Sequence, residues 1–239
     1  MKGKKTTVFN SIKRYIKNFK FKHDFPEFNL GTVSLILICF ALIVISTFVK
    51  IDLFAINLFS IYDNYKGETS SIFSTFSYIP QLPTVLFITA LLGPTSGLLV
   101  VFLYVFAGIC GIPIFSSGGG IDYFLRPTMG YLLGFFPAVF FTAMMIKQRE
   151  AKLRYIKASF IGCTCVHSVG VIYMSLLMFF LGENLFLILS WFWFLTGMQF
   201  LYDIIFGILA IMFGRACRNL FGIITDKIEN RHSQKKKLA

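Results

Sequence analysis

A stretch of 53 residues without a charged side chain, from Thr69 to Ile121, limits what this chain can fold into more than any other feature. One membrane-spanning helix needs roughly 20 mostly apolar residues, so the stretch is long enough for two helices. The turn signal G-P-T-S, which begins at Gly93 near its middle, predicts a hairpin of two spans. Charged residues make up 14% of the whole chain, against about 25% in soluble domains, which indicates an integral membrane protein.

Four further apolar segments bring the predicted number of spans to six. The predicted fold class is therefore all-α, with transmembrane helices near 30–49, 76–92, 96–112, 127–146, 158–181 and 193–214. These helices form one membrane domain over residues 28–215. A basic segment at 1–27, either an amphipathic helix on the membrane surface or a disordered tail, precedes it, and a basic tail at 216–239 follows it.

The distribution of lysine and arginine predicts the orientation of these helices. With six spans and both termini on one side, that side receives 20 of the 23 basic residues, and the other side receives only Lys50, Lys66 and Arg126. Cytoplasmic loops of membrane proteins are rich in Lys and Arg, so we expect both termini to be cytoplasmic. The net charge of +12 then reflects topology and attraction to the lipid bilayer. No nucleic-acid partner is expected, because the basic residues flank spans.

A glycine-rich turn separates the third and fourth predicted helices. Irregular backbone survives at membrane depth only where protein or a water-filled cavity covers it, so the turn predicts the mouth of a binding site. Gly118, Gly119 and Gly120 lack side chains, and this lets the backbone come close to a ligand. No phosphate-binding signature accompanies these glycines, since neither G-K-[ST] nor a strand flanks them.

Polar side chains at the same end of the bundle extend this predicted site. Asp122 and Tyr123 follow the glycines directly, and Tyr131 begins the fourth predicted helix. Arg126 has a planar guanidinium that suits a carboxylate; an interfacial anchor or a partner for Asp122 is the alternative. Gln81, in the proline-rich start of the second helix, is expected to face the same cavity.

Two residue groups in the fourth and fifth predicted helices concern packing. Gly130 and Gly134 have the four-residue spacing of close helix contacts. Cys163, Cys165 and His167 invite a metal interpretation, but Cys165 would point roughly 160° away from the other two on a helix. The better account is that the cysteines are small packing residues and that the histidine faces the bundle. No metal site is therefore predicted.

Asp203 is the sharpest single signal, because it lies well inside the last predicted helix. A charged side chain at mid-bilayer costs about 2.5–3.5 kcal/mol on insertion scales, so such acids usually face the bundle interior. A structural hydrogen bond, a ligand contact and a proton relay all remain open as its role. Gln199 lies one turn earlier on the same face, and the amide and carboxylate together suit a polar heterocycle with paired N–H and C=O groups.

The chain carries no recognisable catalytic motif. It has no P-loop, no H-E-x-x-H, no G-x-S-x-G and no paired catalytic carboxylates. We therefore predict that it is not an enzyme and that it needs no cofactor. A membrane enzyme would show a convergent set of nucleophile and base or a set of metal ligands.

Four segments carry a resemblance to a known family. They are Y-I-P-Q-L-P-T-V-L-F-I-T-A-L-L-G-P (78–94), V-F-A-G-I-C-G-I-P-I-F (105–115), G-G-G-I-D-Y-F-L-R-P-T-M-G-Y-L-L-G-F (118–135) and Q-F-L-Y-D (199–203). In this order and spacing they resemble the BioY family, the biotin-binding S components of energy-coupling-factor (ECF) transporters.

The resemblance implies a six-helix S-component fold with a biotin pocket near the outer surface. It implies a multi-pass protein of the bacterial inner membrane whose partners are a membrane coupling (T) protein and a pair of cytoplasmic ATPases. The family's acid on the last helix falls on Asp203, which with a neighbouring amide would bind the ureido ring of biotin. The valerate carboxylate of biotin would need a cation, for which Arg126 is the candidate.

Three departures from the family pattern bear on these expectations. Phe206 stands where many members have a lysine one turn after the acid. The first predicted helix lacks the small-xxx-small spacing used for docking to the coupling protein, since Ile45 follows Ala41. The outer loop 50–77 is long enough to form a lid. The alternatives are an S component for another small vitamin or a membrane scaffold without transport activity.

Overall fold

The chain folds mainly into helices, which the computed structural model describes for residues 30–56, 73–147 and 153–238. In chain order the helices are α1 Leu30–Phe48, α2 Gln81–Leu92, α3 Pro94–Ile109, α4 Met129–Ile146, α5 Arg154–Phe180, α6 Leu185–Phe192 and α7 Gln199–Leu238. A 3₁₀ turn, Ile121–Leu125, precedes α4, and a π-helical turn, Trp193–Gly197, joins α6 to α7. The predicted N-terminal segment 1–27 lies outside the described residues.

Several of these helices have the length and composition of membrane spans. Within the described residues, four stretches qualify: α1, α4, α5 and the continuous run Leu185–Leu220. Helices α2 and α3 are apolar but shorter. The fold is therefore that of a mostly helical membrane protein, and the count of six spans stays a prediction.

The turn between α2 and α3 lies where the sequence predicted it. Gly93 adopts a φ of +88°, and Pro94 occupies the first turn of α3. Glycine accepts positive φ without a steric penalty, and proline at the start of a helix loses no hydrogen bond. The two residues therefore end one helix and begin the next with no intervening loop, and the predicted turn is confirmed.

Two antiparallel strands correct the all-α expectation. Strand β1, Ile51–Ile56, pairs with β2, Phe73–Tyr78, where the sequence analysis predicted a loop and a helix starting near residue 76. Alternate residues of β2 face inward, with Phe76 and Tyr78 buried, which is the two-residue period of a strand. Pro80 disfavours a helical conformation in the residue before it, so α2 begins only after it. The middle of the predicted outer loop, 57–72, lies outside the described residues.

The last helical stretch begins earlier than the predicted position near 193. Helix α6 starts at Leu185, because the Asn184 side chain caps it by accepting a hydrogen bond from the Leu187 backbone N–H at 2.8 Å. The π-helical turn that follows contains one widened turn of the backbone. Such turns change which face of a helix points inward, and here the turn lies next to the start of α7.

Helices α4 and α5 pack closely through glycine, as predicted. A Cβ added to Gly134 would lie 2.7 Å from the Cα of Val166, and one added to Gly130 would lie 3.1 Å from the Cα of Gly170. Both contacts are with the backbone of α5, so neither position has room for a side chain. The prediction of close packing at these two glycines is confirmed.

Helix α7 packs between α2 and α5 through small residues of its own. A Cβ on Gly207 would collide with the Ser159 hydroxyl of α5, and one on Gly214 would lie 2.7 Å from the Phe87 carbonyl oxygen of α2. The Ser159 hydroxyl also donates to the carbonyl oxygen of Ile204 at 2.9 Å. These contacts fix the rotation of α7, and with it the direction of the acid one turn earlier.

Candidate functional site

A cavity of about 110 Å³ lies among α2, α4, α5 and α7, far above the roughly 10–15 Å³ that one water needs. Its walls include one carboxylate, one imidazole and two amides, from Asp203, His167, Gln81 and Gln199. Hydroxyl groups come from Tyr104, Ser116, Tyr123, Thr128 and Tyr131. None of the described residues that line it is lysine or arginine. The cavity therefore offers many hydrogen-bonding groups and a single acid.

Asp203 is held inside the bundle by two side chains from different elements. It is only 3% exposed, which confirms that this acid faces the interior. The Tyr78 hydroxyl of β2 donates to Oδ1 at 2.6 Å, and Nε2 of His167 on α5 lies 3.0 Å from Oδ2. A buried carboxylate needs such partners, because burial of an unpaired charge is strongly unfavourable.

His167 continues this network away from the acid. An ionised carboxylate can only accept hydrogen bonds, so Nε2 is the ring nitrogen placed to donate to Asp203. The other ring nitrogen, Nδ1, lies 3.2 Å from the Thr196 hydroxyl, which in turn lies 2.8 Å from the Tyr131 hydroxyl. Thr196 belongs to the π-helical turn. One hydrogen-bonded chain thus runs from Tyr78 to Tyr131 along the cavity wall.

A second network holds the amide of Gln81. Nε2 of Gln81 donates to the Tyr104 hydroxyl at 2.8 Å, and that hydroxyl lies 3.1 Å from the Thr47 hydroxyl of α1. Tyr104 also donates to the carbonyl oxygen of Ile114 at 3.3 Å. Gln199, by contrast, has no side-chain hydrogen bond to any described residue. One amide of the cavity is therefore oriented in advance, and the other is available to a ligand.

The structure brings half of the sequence-predicted site residues to the cavity. Those that line it are Asp203, Gln199, Gln81, Tyr123 and Tyr131. Those that lie outside its walls are Asp122, Arg126, Gly118, Gly119 and Gly120. The second group is confined to the turn between α3 and α4, so the difference has a common structural cause.

The three glycines of this turn fold the chain back onto the end of α3. Gly118 and Gly120 adopt φ values of +105° and +99°, which only glycine accepts easily. The Gly120 N–H donates to the Gly108 carbonyl oxygen at 2.8 Å. A Cβ on Gly119 would collide with the carbonyl oxygen of Ile112. The glycines therefore shape the turn that carries the cavity wall.

Asp122 and Arg126 lie on the exposed side of the 3₁₀ turn. The same turn points Tyr123 inward, where it is 3% exposed. The Arg126 backbone N–H donates to the Tyr123 carbonyl oxygen at 3.0 Å, and within the described residues no ion pair joins Arg126 to Asp122. Arg126 thus lies close in sequence to the lining residues Tyr123 and Thr128, and its own side chain is exposed.

The sequence-predicted site missed several residues that line or support the cavity, among them His167, Tyr78 and Tyr104. His167 was expected to face the bundle, and it does at 5% exposure, but its bond to Asp203 depends on tertiary packing. Tyr78 ends a segment with a strand period, which was overlooked in favour of a helix. Tyr104 is a polar residue inside an apolar helix, and such residues usually face the bundle interior.

The cysteines near His167 take no part in this network. Cys163 is buried and Cys165 is half-buried. Among the described residues, no group of three or more His, Cys, Asp or Glu side chains is placed to hold a metal ion. Both ring nitrogens of His167 are within hydrogen-bonding distance of protein groups, Asp203 and Thr196.

Comparison with known proteins places the chain in a family. The sequence model of the BioY family matches residues 69–222. The "Probable biotin transporter BioY" of Lysinibacillus sphaericus is 38% identical over 96 residues, which are 39% of this chain and 49% of that protein. The "Biotin transporter BioY" of Thermotoga maritima is 31% identical over 85 residues, 35% of this chain and 50% of that protein. The chain spans about half the length of these curated relatives in the matched regions.

A solved structure has the same fold. It is described as the S-component for biotin from an ECF-type ABC transporter, and the two chains superpose with a TM-score of 0.57. The match covers 80% of this chain and 92% of the other, at 22% sequence identity. At this identity the likeness establishes a shared fold.

Proposed function

The chain belongs to the BioY family, and on that premise we propose that it captures biotin for uptake across the bacterial inner membrane, as the S component of an ECF transporter. The observation that supports this most strongly is the buried acid in the cavity wall. Asp203 lies there with Gln81 and Gln199, so one cavity combines a carboxylate with two amides.

This set of groups matches the ureido ring of biotin, which offers two N–H groups and one C=O. Asp203 accepts one bond on each oxygen from the protein, and a carboxylate has about four acceptor sites. One of the remaining sites accepts a ureido N–H group. The amide of Gln199, which has no other side-chain partner among the described residues, donates to the ureido oxygen.

Apolar groups complete the proposed pocket. The walls between the polar side chains consist of Ile79, Leu82, Leu132, Phe135, Val166 and Leu195. Small-molecule sites typically combine such apolar walls with a few placed polar groups. The thioether ring and the aliphatic chain of biotin fit that part of the surface, because neither forms strong hydrogen bonds.

The carboxylate of biotin is proposed to lie at the cavity mouth, beside Arg126. No lysine or arginine lines the cavity within the described residues, and an ionised carboxylate inside it would lie near the negative charge of Asp203. Arg126 is the cation of the turn that closes the cavity at Tyr123. Its exposed position suits a partner for a group that stays partly in water.

Removal of the Arg126 guanidinium should weaken the binding of biotin but not that of biotin amide, which lacks the negative charge. We expect Arg126→Ala to weaken biotin binding about 10-fold or more, since a hydrogen bond to a charged group contributes about 1.5–3 kcal/mol. Biotin amide, which has no negative charge, should bind the variant nearly as well as it binds the wild type. Arg126→Lys serves as the charge-preserving control. Equal losses for biotin and its amide would assign Arg126 to the shape of the turn.

A further prediction concerns the hydroxyl that links β2 to the acid. Tyr78→Phe should weaken biotin binding about 10-fold, because the buried Asp203 loses a donor. Tyr202→Phe is the matched control: its hydroxyl also links α7 to the strands, by donating to the Phe54 carbonyl oxygen at 2.6 Å, but it does not touch Asp203. Competition binding on both purified variants checks this, and equal effects would rule out a special role for Tyr78.

Six spans with both termini in the cytoplasm complete the proposal. Support comes from the apolar character of α2 and α3, which add two shorter helices to the four longer candidates. The same arrangement collects 20 of the 23 basic residues on one side. It puts the strands, the glycine-rich turn and the cavity mouth together on the outer side.

Thiol labelling in intact cells tests this topology. In a Cys110→Ser background, Thr75→Cys on β2 should react with an impermeant maleimide. Leu153→Cys before α5 should react only after the cells are permeabilised. Both positions are exposed. Reversed labelling would move the proposed site to the cytoplasmic side and contradict the capture role.

The proposed partners are a membrane coupling protein and a cytoplasmic ATPase pair. The sequence carries no nucleotide-binding motif, so active uptake would draw its energy from another chain. The proposal concerns the capture step, which a purified protein can perform alone.

Binding of radiolabelled biotin to purified protein tests the function directly. We expect saturable binding that excess unlabelled biotin displaces and that thiamine and riboflavin do not. Displacement by one of these vitamins, with no saturable biotin signal, would favour an S component for another substrate. Absence of binding by all three would contradict the capture role.

A further inference from the structure

The carboxylate of Asp203 has one partner that can itself carry a positive charge. Among the described residues, His167 is the only such group within ion-pair distance, with Nε2 3.0 Å from Oδ2. One turn further along α7 the chain has Phe206, whose ring centroid lies 5.4 Å from that of Tyr78. The helix that carries the acid therefore supplies no cation on this side, and the imidazole comes from α5.

The imidazole is fixed from several directions. The edges or faces of two aromatic rings contact it, with centroid distances of 5.7 Å to Tyr131 and 5.2 Å to Phe200. Its far nitrogen lies 3.2 Å from the Thr196 hydroxyl. Thr196 belongs to the π-helical turn, and such turns often occur where a side chain must reach a functional position. The ring therefore has one orientation with both nitrogens engaged.

These contacts point to a role for His167 that its place in the cavity wall alone would not indicate. We propose that His167 is a positioning residue for ligand recognition: its Nε2–H holds the Asp203 carboxylate with the free acceptor sites directed into the cavity. The π-helical turn supports it by presenting Thr196 to Nδ1. The inference rests on the proposed function and deepens it, because an acid fixed in this way selects ligands that present an N–H donor, such as a cyclic urea.

Two substitutions of His167 by an amide side chain distinguish the roles of its two ring nitrogens. In His167→Gln the side-chain amide reaches the place of Nε2 and keeps a donor for Asp203. In His167→Asn it reaches only the place of Nδ1, toward Thr196. We expect the Gln variant to bind biotin within about threefold of wild type and the Asn variant to bind about 10-fold or more weakly. Equal losses in both variants, or no loss in either, would overturn the proposal.

A spectroscopic measurement on the unliganded protein decides the question independently of biotin. In protein labelled with ¹⁵N-histidine, the signal that His167→Gln removes should report the tautomer protonated at Nε2, and Asp203→Asn should shift it. The other two histidines of the chain provide internal references. A tautomer protonated at Nδ1 would overturn the proposal. This measurement does not use His167→Asn, so it decides the question even if that variant does not fold. If wild type binds no biotin but shows the expected tautomer, only the proposed function fails.

Discussion

Asp203→Asn should weaken biotin binding about 10- to 150-fold, the effect of losing a charge-assisted hydrogen bond of about 1.5–3 kcal/mol. Asparagine keeps the shape of the side chain, and one amide oxygen still accepts from Tyr78. The amide N–H, however, faces the N–H of His167 or that of the ligand, so two donors oppose each other. Equilibrium binding on the purified, folded variant measures the loss.

A charged analogue sharpens this test. In 2-iminobiotin a guanidinium replaces the urea, so the loss in Asp203→Asn should exceed the loss for biotin, because an ion pair disappears with the carboxylate. Glu183→Gln, at an exposed acid of the turn after α5, is the matched control and should leave both ligands unaffected. A folded Asp203→Asn protein with wild-type affinity would limit Asp203 to a structural role between Tyr78 and His167.

Gly134→Ala should destabilise the protein by about 1–3 kcal/mol, the usual effect of overpacking a tight interior. The added methyl would lie 2.7 Å from the Cα of Val166 and 2.9 Å from its carbonyl oxygen. Both atoms belong to the backbone, so they cannot move aside as a side chain can, and α4 and α5 must separate. Thermal unfolding in detergent measures the effect.

The same substitution should also weaken biotin binding, since α4 carries Tyr131 and α5 carries His167. Ser168→Val is the control: it adds bulk at the position next to His167, but on the exposed face of α5. We expect it to leave both stability and binding near wild type. If Gly134→Ala melted at the wild-type temperature, the two helices would have to tolerate a wider separation than their contacts indicate.

The features that could be predicted from the sequence depend on residues that lie close together in the chain. A lone acid in an apolar helix must face the interior, so the burial of Asp203 was predictable, and Gln199 followed from helical spacing. Glycines four residues apart allow close helix contact, which holds at Gly130 and Gly134. Glycine followed by proline ends one helix and starts another, which holds at 93–94.

Other features depended on which distant segments meet. The partner of Asp203 on β2 is 125 residues away in sequence, and only the pairing of β2 with β1 brings it there. The run Gly118–Gly120 was predicted to touch a ligand because glycine permits close approach. In the structure the same property brings the turn against the end of α3. Arg126 lies three residues after the inward-facing Tyr123, and no local pattern indicates that its own side chain is exposed.

The pairing of β1 with β2 also determines where this chain can be truncated. The family match begins at residue 69, which leaves α1 and β1 outside it. Yet β1 pairs with β2 along its whole length, and α1 supplies Thr47 to the tyrosine that orients Gln81. A fragment cut at residue 69 would keep every proposed ligand contact and would still expose an unpaired strand edge, which favours aggregation. Chimeras and minimal versions of this protein should therefore begin before Leu30, so that they keep both α1 and β1.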